Sequence, residues 1–327
     1  MTNRSKQLVK FLIRILVTMG LLIWVFSRIN LPQFSQTIGN ARWGFLWIIW
    51  GLTIAVYWLL SIKMRLILKK QNCHANTGTL FGASAVTALY SMILPGILDA
   101  PVKWYIVKQH TGKGSNVFSS MVYNQFTTIL LISVSALVAL IVTNPAGNWQ
   151  LPAICLALLA ILAFVCLSLF NRTVGPKLTN RLSHILNYLP KSFRDTGRRI
   201  LEQLSVFQTA SWAFHFKVVL LNFVSITIVG TTIYIFAAKA ARIDVPVGVF
   251  IWQCALIFVL GRLPISIANL GVREATLVGT LALYGVDAPS AFLMSMILFS
   301  NKILMAIIGA IFQLYLGFHK PGKIRQA

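Results

Sequence analysis

Apolar residues in this chain gather into runs of about 20, the length a helix needs to cross a hydrocarbon core of ~30 Å. Short segments rich in Lys and Arg separate them. The pattern predicts full helical spans at 9–28, 44–62, 116–143, 151–170, 216–238 and 289–317. Two further apolar stretches do not behave as single crossings. The stretch 79–113 follows Lys63, Arg65, Lys69 and Lys70 and ends on Lys103, Lys108 and Lys113, so both of its ends read as cytoplasmic by the positive-inside rule. The stretch 246–288 lacks a basic far end, and the last span closes on Lys320, Lys323 and Arg325. A cytoplasmic C-terminus then requires 246–288 to begin and end outside. Both are therefore expected to be re-entrant helical hairpins, entering from opposite faces and related as an inverted repeat. The fold class expected is an all-α polytopic membrane protein, one integral domain over 1–327, with both termini cytoplasmic and the inner (cytoplasmic) membrane as its location.

Between the fourth and fifth spans lies a basic loop, 171–215. Leu178, Leu182, Ile185, Leu186 and Leu189 recur there at helical spacing, as do Ile200, Leu201, Leu204 and Phe207. These predict amphipathic helices on the inner leaflet, divided at Pro190. The N-terminal Arg4, Lys6, Lys10 and Arg14 precede an apolar stretch without a small-residue cleavage site, which favours an uncleaved first span.

Composition narrows the class. Hydrophobic residues make up 57% of the 327 and charged residues 11%, whereas about a quarter of the residues of a soluble domain are charged. The net charge of +23 raises the question of nucleic acid. The basic residues sit between spans rather than on one soluble face, so membrane orientation and anionic lipid account for them, and no nucleic-acid partner is expected. Cys73, Cys155, Cys166 and Cys254 show no C-x-x-C spacing and the five histidines form no H-x-x-x-H pair, so neither metal nor cofactor is expected. The six acids never approach a D-x-D spacing, and His110 to Ser115 lacks the first Gly and the Ser/Thr of a nucleotide-binding P-loop. No catalytic residue is assigned.

The segment that departs most from a plain span is Gly261 to Gly285. It carries Arg262, Pro264, Asn269, Gly271, Arg273 and Glu274 between apolar runs. Charges at membrane depth cost about 2.5–3.5 kcal/mol each on insertion scales and point to function. Non-helical backbone there needs protein or a water-filled cavity around it. Pro264 and Gly271 are the expected breakers of this hairpin, and Pro95 of the other. Arg273 is the candidate for a lipid phosphate, because a guanidinium matches phosphate oxygens bidentately. Glu274 is the candidate for a cationic or hydroxyl-bearing headgroup, with Asn269 beside them; the alternative is that Arg273 and Glu274 pair with buried charges and fix the hairpin. Lys103 and Asp99 are the matching elements of the first hairpin, and Lys302, inside the last span, completes the set. Lys103 could equally snorkel to the interface beside Trp104 and Tyr105.

The run LPISIANLGVREATLVGTLALYGV, with the last span behind it, resembles the Pro…Gly-x-Gly-x-Arg-Glu block of the lysylphosphatidylglycerol synthase/flippase-like membrane family. LPGILDAPVKWYIV resembles that family's other block, a Pro-Gly turn followed by Gly-Asp and a basic residue. Asn269 stands where a Gly is usual, Asp99 is about one residue out of register with the family's acid, and Asn124-Gln125 replaces a frequent acid–Arg pair. The resemblance implies movement of an aminoacylated phospholipid between leaflets. Members that also synthesise the lipid carry a soluble transferase domain; the chain ends at Ala327, and synthase activity is not expected of it. The reading is a flippase-like transporter of a phospho- or glycolipid, with anionic or polyprenyl-linked membrane lipids as partners and a homodimer left open. A glycosyl- or phosphotransferase acting on polyprenyl-linked donors, and a non-transporting accessory protein of envelope biogenesis, are the alternatives.

Overall fold

The computed structural model describes residues 16–93, 99–143, 147, 149–170, 174–176, 180, 184, 191–261, 266 and 270–318, and every regular element among them is a helix. In chain order these are α1 (Leu16–Ser27), α2 (Leu31–Gly39), α3 (Gly44–Lys70), α4 (Thr77–Ile93), α5 (Asp99–Thr111) and α6 (Gly114–Thr143). They continue as α7 (Gln150–Phe170), α8 (Lys191–Gln208), α9 (Trp212–Ala240), α10 (Val247–Leu260), α11 (Val272–Ala282) and α12 (Ala288–Phe318). Four are long and apolar enough to cross a membrane: Gly44–Lys70, Gly114–Thr143, Trp212–Ala240 and Ala288–Leu314. Shorter apolar helices cover Leu16–Ser27, Pro152–Phe164 and Val247–Leu260. The chain is thus an all-helical, multi-pass membrane protein.

Two differences from the sequence reading concern element length. The helix expected to stop at residue 62 continues to Lys70, so Lys63 and Arg65 belong to it rather than to a loop. The segment between the first two spans holds α2, capped by Asn30, whose side chain accepts from the Gln33 N–H. α9 is α-helical over Trp212–Asn222, π-helical over Phe223–Gly230 and α-helical again over Thr231–Ala240. Residues 171–190, the first half of the predicted amphipathic loop, lie mostly outside the described residues.

The chain divides into two compact units, and α3, α4, α5 and α9 each contribute to both. The first unit comprises Met1–Ala55, Gly82–Lys103 and Gly230–Ala327. α12 is its central post. Phe292 meets Phe26 of α1 and Phe34 of α2 edge-on at 5.4 Å, and Ser300 accepts from the Trp50 indole at 3.0 Å. Gly309 lets α4 touch the post: a Cβ there would stand 2.2 Å from the Ala85 carbonyl oxygen. Lipid tails give no hydrophobic drive for helices to associate, so close backbone approach at small residues supplies the attraction.

The second unit comprises Val56–Phe81 and Trp104–Val229. Its core is Ile67 of α3, Tyr123 of α6, Phe207 of α8 and Val218 of α9, all fully or almost fully buried. The Phe207 ring stacks on Tyr123 with centroids 4.2 Å apart and planes 9° from parallel, and the Tyr123 hydroxyl meets His215 Nδ1 at 2.7 Å. Polar bonds fasten the same helix: the Gln71 amide donates to the Gln203 carbonyl at 2.6 Å and the Asn116 amide to Gln203 Oε1 at 2.9 Å. The apolar stripe of α8 that includes Leu204 and Phe207 therefore faces protein, where the sequence reading placed it on the leaflet.

Two substitutions test this packing. Phe207→Ala is expected to cost about 3–5 kcal/mol, the usual range for a buried aromatic, with a lower thermal midpoint and faster proteolysis within 191–208. A surface-lying α8 would show neither change. Gly309→Ala drives a methyl into main chain that cannot yield and is expected to cost about 1–3 kcal/mol. An unchanged midpoint in detergent would exclude the α4–α12 contact.

Candidate functional site

α11 begins where the sequence placed its main candidates. Gly271 is the N-cap, with φ +82°, a conformation that L side chains rarely adopt. A Cβ there would also lie 2.7 Å from Leu21 Cβ, because α1 runs against this turn. α10 ends at Leu260 and α11 begins at Val272; Arg262, Pro264 and Asn269 lie outside the described residues.

Arg273 and Glu274 occupy the first turn of α11, are 5% and 0% exposed, and are paired with each other. The guanidinium donates through Nη2 to Glu274 Oε1 and through Nε to Ser295 Oγ, the latter at 2.9 Å. Ser295, on α12, donates onward to Glu274 Oε1 at 3.1 Å. Glu274 Oε2 accepts the Gly271 N–H at 2.7 Å. This is half of a capping box, since Gly271 has no side chain to close the reciprocal bond. The guanidinium carbon lies 4.9 Å from the centre of the Phe299 ring, a cation–π contact. Both charges are thereby satisfied inside one helix turn and its α12 neighbour, while the positive end of the α11 dipole faces the carboxylate.

The remaining candidates are more loosely placed. α5 starts at Asp99, whose side chain is not described, and Lys103 is half-buried one turn on. Lys302 is half-buried on α12, next to Asn301, whose buried Oδ1 has no hydrogen-bond partner. Pro95 lies outside the described residues. The geometry therefore joins Arg273, Glu274 and Gly271 into one cluster. It also recruits Ser295 and Phe299, which the sequence reading did not select. Near this cluster, Gln253 of α10 donates to Thr280 of α11 at 2.8 Å while its Oε1 stays buried and unbonded.

A second polar cluster, in the other unit, went unrecognised in the sequence. Lys63 of α3 is 1% exposed. Its ammonium donates to Asn222 Oδ1 of α9 at 2.5 Å and to Thr128 Oγ1 of α6 at 3.2 Å, and the Asn222 amide donates to Thr128 Oγ1 at 3.2 Å. The π-helical stretch of α9 starts at the next residue, Phe223, and such stretches recur at functional sites. The sequence signal was available: Lys63 shares a helical stripe with Val56, Leu60 and Ile67, whereas Arg65 and Lys69 point the other way and are exposed. Cys73, in the turn after α3, is no candidate nucleophile; burial pushes its thiol up, opposed by nearby Lys113.

The Lys63 cluster predicts non-additive energetics. Asn222→Leu leaves a buried ammonium short of an acceptor and is expected to cost about 2–3 kcal/mol. Adding Lys63→Met is expected to recover part of that loss, as thermal midpoints of the two single variants and the double variant will show. Strictly additive losses would mean that the two residues do not cooperate.

No curated protein and no solved structure matched the chain. A family model did, over residues 11–309, which takes in every element that builds both clusters. With that span of the chain matched, and with its apolar helices and Gly-x-Arg-Glu turn in place, the protein belongs to the family described as the lysylphosphatidylglycerol synthase TM region.

Proposed function

We propose that the protein moves a phosphate-bearing lipid between the leaflets of the inner membrane, with Arg273 receiving the headgroup phosphate. The observation that carries this reading is a buried guanidinium at the first turn of a helix inside an apolar segment, in a chain of a family named for the membrane part of a lipid synthase. An ionisable group buried in an apolar segment is expensive, and by default it marks a functional site. Arg273 is anchored through Nε to Ser295, and the planar guanidinium fork is itself pre-organised, so it loses little entropy when it takes up an oxyanion.

In this reading 79–113 and 246–288 are re-entrant hairpins, both termini are cytoplasmic, and the lipid tails stay in the bilayer while the headgroup passes between the hairpin tips. Lys103, one turn into α5, is the basic group of the first hairpin, and Lys302 of α12 lies on the path. Helices on both sides of each expected tip support the picture: α4 ends at Ile93 and α5 starts at Asp99, α10 ends at Leu260 and α11 starts at Val272.

The test is exchange of headgroup-labelled lipids across proteoliposome membranes, for wild type, Arg273→Ala and Lys103→Ala. Wild type is expected to accelerate exchange, and both substitutions to reduce it at least about tenfold, the scale set by one lost charge-assisted contact. Circular dichroism and thermal midpoints must show that the variants fold. Absence of exchange over anionic, aminoacylated and polyprenyl-linked lipids would sink the reading. A chemically altered lipid detected by mass spectrometry would replace it with the transferase alternative.

A further inference from the structure

Phosphate recognition at Arg273 must reckon with the anion the guanidinium already holds. We propose that the Glu274 carboxylate sits where the phosphate binds, so that α11 carries a built-in competitor for its own ligand; this rests on the reading of Arg273 given above. Three kinds of donor converge on the carboxylate. The Gly271 N–H reaches Oε2 at 2.7 Å, the Ser295 hydroxyl reaches Oε1 at 3.1 Å, and the Arg273 guanidinium also reaches Oε1. A main-chain N–H at a helix start, a hydroxyl and a guanidinium are the donor set of a phosphate site. Here a side chain of the same turn fills it.

The pairing is not one that a helix needs for its own stability. Residues i and i+1 do not face each other on a helix, so the Arg273–Glu274 contact lends α11 none of the support that i,i+4 pairs give. The capping bond to Gly271 does not need the charge either, because a neutral Gln serves at that capping-box position as well as Glu. The negative charge of Glu274 is thus surplus to the cap and answers to Arg273. Glu274 and Ser295 are wholly buried and Arg273 is 5% exposed. An incoming phosphate therefore requires the first turn of α11 to part from α12, and the Glu274 side chain leaves by rotating about its own χ angles. The ligand class is a phosphate anion, either a lipid headgroup or free phosphate.

Glu274→Gln separates the two roles of this side chain, since it keeps an acceptor for the Gly271 N–H and removes the competing charge. Full-length protein in detergent is titrated calorimetrically with inorganic phosphate, then with phosphatidylglycerol in mixed micelles as competitor. Glu274→Gln is expected to bind phosphate at least about tenfold more tightly than wild type, equivalent to about 1.4 kcal/mol, and an added Arg273→Gln to erase the gain. Displacement of phosphate by phosphatidylglycerol supports the lipid headgroup as occupant; a gain in phosphate binding without displacement supports free phosphate in the same place. Equal phosphate binding by wild type and Glu274→Gln, at matched thermal midpoints, overturns the proposal. If Glu274→Gln does not fold, Glu274→Asn, which likewise removes the competing charge, enters the same titration, and no gain there overturns it equally. Lipid exchange that is insensitive to Arg273 defeats the transport reading instead, and the phosphate titration still reports on the carboxylate.

Discussion

The Glu274 carboxylate is the contact on which the rest of the first unit depends. In a bilayer a charge cannot borrow water, so each ionised group must find its partners within the protein. Glu274 meets that demand for three elements at once: it caps α11 through Gly271, neutralises Arg273 and ties both to α12 through Ser295. The left-handed turn at Gly271 gives the chain the direction that brings these groups together, and α1 can lie against it because no Cβ is there. Removing the carboxylate altogether would leave a buried guanidinium and a helix N-terminus unsatisfied together.

Packing in the two units follows from different resources. In the first, a single long helix carries the contacts of α1, α2, α3, α4 and α11, through a glycine at one level and aromatic edges at another. In the second, an aromatic stack and a small amide network hold an amphipathic helix onto membrane helices. Amide side chains suit that place, because each offers donor and acceptor together and so can satisfy helix ends that meet side-on. Gln71 at the end of α3 and Asn116 at the start of α6 do so, bonding to Gln203 of α8.

How much of this could be read from the sequence depended on which signal each residue carried. Spans were legible because twenty consecutive apolar residues have few other destinies, and four of the expected ones recur as membrane-length helices. The start of α11 was legible because Gly271, Arg273 and Glu274 violate an apolar run, and the violation itself marked the place. Their mutual pairing was not, since neighbours in sequence are poor helix partners and only the turn geometry brings them together. Lys63 was missed for a different reason. Reading charges in order made it the first residue of a basic loop, whereas reading them by helical stripe puts it with Ile67 and apart from Arg65. Asn222 and Thr128 were missed because single polar residues scarcely lower the hydropathy of a span. α8 was assigned to the leaflet because amphipathicity specifies that a helix has an apolar face, not whether lipid or Tyr123 covers it.

The two buried cations show how the same expense is met in two ways, and the difference bears on what each can do. Arg273 is answered by a carboxylate of its own helix turn and a hydroxyl from α12. Lys63 is held by amide and hydroxyl oxygens from two other helices, at the point where α9 changes from α- to π-helical bonding. An acceptor drawn from α9 ties that helix to α3 and α6 next to its π-helical stretch. In the transport reading proposed above, the first arrangement is the one that exchanges partners, while the second holds α3, α6 and α9 together.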